Sequence, residues 1–150
     1  MKPIPLASPI KIWYKPLPKL PNIFWPMVNI KLSYKEKNLP QPVFSLIDSG
    51  ASFSILHLEV AEALGFNINK LGPSLPGGLS VSGSYKSWFL PEMVNVDIYG
   101  YSFSFKFCVI DNPGLIWPCI LGENSIFEVA KIDFQKFKES FEIRFRQDIN

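Results

Sequence analysis

Phe44-Ser45-Leu46-Ile47-Asp48-Ser49-Gly50-Ala51 is the stretch that decides the fold. Val43, Phe44, Leu46 and Ile47 form an apolar run that reads as a strand buried on both faces. It delivers Asp48 to the edge of a core, where a carboxylate is costly unless hydrogen bonds or chemistry hold it. Gly50 supplies the free φ that lets the backbone fold back and aim its amides at that carboxylate. Asp, Ser and Gly are also ordinary turn residues, so the surroundings decide what this turn is for.

Upstream, Val28, Ile30, Leu32 and Tyr34 alternate with Asn29, Lys31 and Ser33, the pattern of a half-buried strand. Lys35 to Gln41 carries turn residues, so the strand that ends at Asp48 returns as the second arm of a hairpin. Downstream, His57 to Leu64 predicts a short helix, with Leu58, Ala61 and Leu64 on one face and Gly65 as its stop. Gly72 to Gly83 is rich in Gly, Pro and Ser, the composition of a mobile hairpin. Val94, Val96 and Ile98 turn at Tyr99-Gly100 and return through Tyr101, Phe103, Phe105, Phe107 and Val109. Ile116 to Leu121 is a second buried apolar strand, closed by Gly122. A short helix over Ile126 to Ala130 and a last hairpin through Ile132, Phe134, Phe141, Ile143 and Phe145 complete a chain that is mainly β.

The order acid turn, helix, Gly/Ser-rich hairpin, aromatic hairpin, Ile120-Leu121-Gly122, helix resembles the retropepsin-like aspartic peptidases from about Asn22 to Phe145. The resemblance implies a small, closed, barrel-like β fold with one or two short helices and one lobe per chain. It makes Asp48 the catalytic acid and Ser49, Gly50 and Ala51 the rest of its loop. Gly122 becomes the glycine behind that loop, where close backbone approach is needed. Leu79, Val81, Ser82 and Gly83 fall where the family carries a substrate-covering flap. Trp117, Pro118 and Ile120 become subsite candidates, with core packing an equal reading for Trp117-Pro118. Asn22-Ile23-Phe24-Trp25 resembles the short strand that family members use at their dimer edge.

Hydrolysis by this chemistry needs two Asp sharing one proton. Asp97, Asp111, Asp133 and Asp148 are the other aspartates, and none precedes Ser/Thr-Gly. One chain supplies one acid, so a homodimer acting on extended polypeptide is expected, with the acids at its two-fold axis. The resemblance implies neither cofactor nor metal. Ser49 fits a cross-dimer hydrogen bond or a simple turn hydroxyl. Ser52 and Glu123 stand where many retroviral members carry an Asp and an Arg that brace the dimer, which predicts a weaker one here. Two other readings are open: a catalytically silent module of the same fold, and an adaptor working through its N-terminal arm.

That arm, residues 1–21, precedes the peptidase-like part, residues 22–150. Seven of the 14 prolines (3, 5, 9, 16, 18, 21 and 26) fall in the first 26 residues, which predicts an extended or polyproline-like course. Lys2, Lys11, Lys15, Lys19, Lys31 and Lys35 all precede the first acid, Glu36, and Lys15 to Pro21 fits a basic PxxP pattern. The whole chain, 150 residues with net charge +2, is too weakly basic to argue for nucleic acid. Cys108 and Cys119 fit no zinc or redox spacing and read as packed thiols. No apolar run approaches the roughly 18 residues of a membrane-spanning helix, and prolines interrupt the N-terminus where a signal peptide needs an apolar segment. A cytoplasmic protein free of membrane is the expectation. His57 reads as a surface or capping residue, and Trp88 and Phe89 as core.

Overall fold

In the computed structural model, which describes residues 2–76, 79, 80 and 83–149, the Pro-rich segment runs extended and carries three strands. These are β1 (Ile10–Trp13), β2 (Lys15–Leu17) and β3 (Leu20–Trp25). β4 (Met27–Tyr34) and the short β5 (Lys37–Asn38) lead into β6 (Val43–Ile47), which ends at Asp48. The chain returns as β7 (Ser54–His57) and enters α1 (Leu58–Ala63). His57 caps that helix, its Nδ1 accepting from the Glu59 N–H at 3.1 Å.

β8 (Leu79–Ser80) and β9 (Gly83–Ser84) form a small ribbon before β10 (Lys86–Phe89). β11 (Val94–Ile98) and β12 (Tyr101–Phe105) are joined at Tyr99-Gly100, both with positive φ, the twist-matched two-residue turn that Gly favours. β13 (Phe107–Asp111), β14 (Cys119–Leu121), α2 (Ile126–Val129), β15 (Ala130–Gln135) and β16 (Ser140–Phe145) follow.

Nine of these strands make one curled half-barrel sheet, ordered β10-β13-β7-β14-β6-β4-β11-β12 with β5 on β4. β14 slots between β6 and β7, parallel to the first and antiparallel to the second. A second sheet, β1-β16-β15, brings the N- and C-terminal segments together within one chain. The core inside the curl is built from Val28, Ile30 and Leu32 of β4, Leu56, Phe107, Leu121, Ile126 and the aromatic pair Phe141 and Phe145. The chain is mainly β with two short helices, as expected.

Three local expectations change. β6 is buried on one face only: Val43, Ser45 and Ile47 meet the core, while Phe44 is exposed and Leu46 half-buried. The sheet is a single curled layer there, and its other face carries the Asp48 site. The expected long strand through Val109 breaks at Lys106, because β12 pairs with β11 whereas β13 pairs with β10 and β7. Phe105 and Phe107 are both buried across the break, so the alternating pattern runs on through it. The strand expected from Ile116 begins only at Cys119, since Pro118 has no N–H to give a ladder and Ile116 is exposed.

β2 also places Pro16-Leu17 in a β-ribbon with Leu17 buried, a different course from an open polyproline ligand. Both cysteines are free and buried. Burial pushes the Cys119 thiol up to about 12 and raises that of Cys108. A protonated, buried thiol is unreactive. Iodoacetamide at pH 8 is therefore expected to leave the native chain unlabelled over an hour and to label both cysteines in guanidinium. Rapid labelling of native Cys119 would show that β14 opens far more readily than this packing implies.

Candidate active site

The loop from Asp48 to Phe53 joins β6 to β7, and the end of β14 passes directly behind it. The Asp48 N–H donates to Leu121 O at 3.0 Å, the Ala51 N–H to Asp48 O at 3.2 Å, and the Glu123 N–H to Ala51 O at 2.8 Å. The two segments are so close that a Cβ on Gly122 would lie 2.3 Å from Ala51 O, inside any allowed contact. Only glycine fits there. The Asp48 side chain sits half-buried at the loop mouth, and its Oδ1 accepts from the Gly50 N–H at 2.9 Å. Oδ2 and the Ser49 hydroxyl have no hydrogen-bond partner among the described residues. Ser49 and Gly50 are exposed.

A buried hydroxyl pair fixes the underside. Ser54 Oγ accepts the Gly122 N–H at 3.0 Å, lies 2.5 Å from Ser125 Oγ, and donates to Asn124 Oδ1 at 2.8 Å. The Ser54 N–H also donates to Asn124 Oδ1 at 2.8 Å, and Asn124 Nδ2 donates to Lys106 O. The Ser54 N–H and hydroxyl both have partners, as a fully buried serine requires. The sequence reading missed this lock. Its signal was a serine at the start of an otherwise apolar strand, and Asn124-Ser125 directly after the glycine.

The other predicted site residues divide. Leu79 and Gly83 belong to the β8–β9 ribbon, paired Leu79↔Ser84 and Ser80↔Gly83. Val81 and Ser82, like Gly77-Gly78, lie outside the described residues. Ile120 is half-buried on the face of β14 opposite the main core, and Trp117 is buried in a second apolar cluster with Leu17 and Met27. Pro118 accepts the His57 N–H on its carbonyl. Ser52 and Glu123 are both exposed, and the Glu123 carboxylate makes no ion pair among the described residues.

Of the Asn22–Trp25 stretch, Phe24 and Trp25 pair within their own chain, against Pro16 and Lys15 of β2. Trp88 is core, its Nε1 donating to Gly72 O at 3.1 Å. Phe89 is not core: it is exposed and crosses exposed Phe53 edge-to-face at 5.1 Å, because alternation along β10 turns it away from Trp88. The described residues contain no cluster of three or more His, Cys, Asp or Glu able to hold a metal, and no helix long and apolar enough to cross a membrane. An open cleft of about 820 Å³ lies elsewhere, on the β4–β11–β12 face near Ser33, Asn95 and Ser104.

Comparison with known proteins places this geometry. A retropepsin-like aspartic protease from Rickettsia conorii superposes over 97% of this chain and 98% of its own, with a TM-score of 0.59 and 18% identity. The retroviral protease-like domain of Ddi1 from Leishmania major matches over 70% of this chain and 79% of its own (TM-score 0.48, 20% identity). EIAV protease complexed with the inhibitor HBY-793 matches over 69% and 86% respectively (TM-score 0.48, 20% identity). No family model and no curated protein sequence matches the chain. The chain has the retropepsin-like fold.

Proposed function

We propose that two copies of this chain form an aspartic endopeptidase, with Asp48 of each as the catalytic acid. The observation that carries the reading is the Asp48 loop: a half-buried carboxylate steadied by one backbone N–H, its other oxygen unpartnered, on a tip whose Ser49 and Gly50 are exposed. Such a tip is open to an identical tip across a two-fold axis. The paired acids share one proton. The ionised member draws a proton from water as that water attacks the scissile carbonyl carbon, and the protonated member donates to the carbonyl oxygen. The β8–β9 ribbon serves as the flap that covers extended polypeptide, as it does in the family the fold resembles. Ser49 is positioned for a bond across the dimer.

Activity then depends on association. With Ser52 and Glu123 in place of a bracing Asp–Arg pair, specific activity on a diverse peptide library is expected to fall steadily on dilution, in step with dimer dissociation by sedimentation, and to be blocked by pepstatin A. Constant specific activity from a sedimenting monomer would refute the one-acid-per-chain mechanism.

A further inference from the structure

Like β8–β9, the β2–β3 ribbon stands apart from the two larger sheets. β2 and β3 pair only with each other, and their register slips: Pro16 faces Phe24 while Leu17 faces Leu20, so residues 21–23 bulge out. The chain is pinned on either side. The Tyr14 N–H donates to Glu139 O at 2.7 Å, and Pro26 O accepts the Ile47 N–H at 2.9 Å. Between these pins, no hydrogen bond or ion pair joins residues 15–25 to the rest of the described chain. Side-chain packing alone holds the ribbon down, and an isolated two-stranded ribbon is marginal in water.

What it packs on is the face of Asp48. Alternation puts Leu46 on the same face of the chain as Asp48, and register sets Met27 and Ile120 beside Leu46 on the two neighbouring strands. Leu17, Leu20 and Trp25 join this row and Trp117 in an apolar cluster separate from the main core. Trp25 crosses Trp117 edge-to-face at 5.5 Å. Its Nε1 is buried without an acceptor among the described residues, and an orphaned buried donor works against the closed position.

We infer that the β2–β3 ribbon is a built-in occupant of the apolar subsite beside Asp48, displaced when an apolar side chain of a bound polypeptide takes that place. The inference rests on the peptidase reading and adds its regulation. Fixed ends let the ribbon swing while β1 and β4 stay paired.

Hydrogen–deuterium exchange of residues 15–25, with and without pepstatin A, tests this in wild type, Leu17→Ser and Trp25→Phe. Pepstatin A is expected to speed exchange there by about tenfold or more, as for a local opening, with β1 and β4 unchanged. Leu17→Ser loosens the ribbon, so exchange is faster before ligand is added and Kd falls several-fold. Trp25→Phe removes the orphaned N–H but keeps a ring, so exchange slows and Kd rises. Binding with ribbon protection unchanged in all three proteins overturns the inference, and so does failure of both wild type and Leu17→Ser to bind. The expected exchange pattern with no peptide cleaved by any form upholds the occluding ribbon and removes the peptidase reading instead.

Discussion

Asp48→Asn is expected to abolish peptide cleavage while leaving the fold and self-association intact. The amide keeps the size of the carboxylate, and its oxygen can still accept the Gly50 N–H that now lies 2.9 Å from Oδ1. What it loses is the ability to take a proton from water or to hold the one that a dyad shares. Loss of an acid–base group costs roughly 10²–10⁴-fold in rate, and in the proposed homodimer one substitution alters both halves of the site, so the upper end or beyond is expected. The measurement is kcat/KM on the best library peptide, with thermal unfolding and sedimentation as controls. A variant within about tenfold of wild type would remove Asp48 from the chemistry. Loss of activity together with loss of fold would instead mark Asp48 as structural, since Gly50 would then depend on the charge for its position.

The outline of the fold was legible because its signals are local. Met27–Tyr34 alternates cleanly, Gly65 with φ +98° ends α1, and Tyr99-Gly100 closes a hairpin through two positive φ angles. The acid turn was legible too, since Asp48-Ser49-Gly50 directly follows an apolar strand. What escaped depends on contacts between distant segments. Ser54 lies 70 residues from Asn124 and 71 from Ser125, yet the three form one hydrogen-bonded unit. Nothing in a local window announces that.

The Pro-rich segment shows a different limit. Its prolines correctly exclude helix, but they do not choose between a free arm and paired strands. Pairing is decided by partners far away: β1 lies against β16, Ile10 facing Ile143 and Ile12 facing Phe141. Ala7, Ile12 and Tyr14 are buried there. Phe89 escaped for a simpler reason. Next to a buried Trp it reads as core, and only the strand's actual phase turns it outward.

The close approach behind the loop supports the second large expectation. Gly122→Ala places a methyl group 2.3 Å from Ala51 O, a backbone atom with no rotamer through which to retreat. Either β14 or the Asp48 loop must move, and both are tied. The Gly122 N–H is held by Ser54 Oγ, the Glu123 N–H by Ala51 O, and Leu121 O by the Asp48 N–H. Overpacking of this kind costs about 1–3 kcal/mol, which for a chain of this size lowers Tm by roughly 2–12 °C. Activity should suffer more than stability, because a shift of about 1 Å in a catalytic group costs on the order of 10²-fold. Gly65→Ala is the matched control. Its φ of +98° strains any side chain, yet nothing lies within 4 Å of the added Cβ and the site is remote. That variant should lose about 1–2 kcal/mol and keep its kcat. If Gly122→Ala keeps full activity at a temperature where it is folded, the contact behind the loop does not position Asp48, and the lock of Ser54, Asn124 and Ser125 is a packing feature alone.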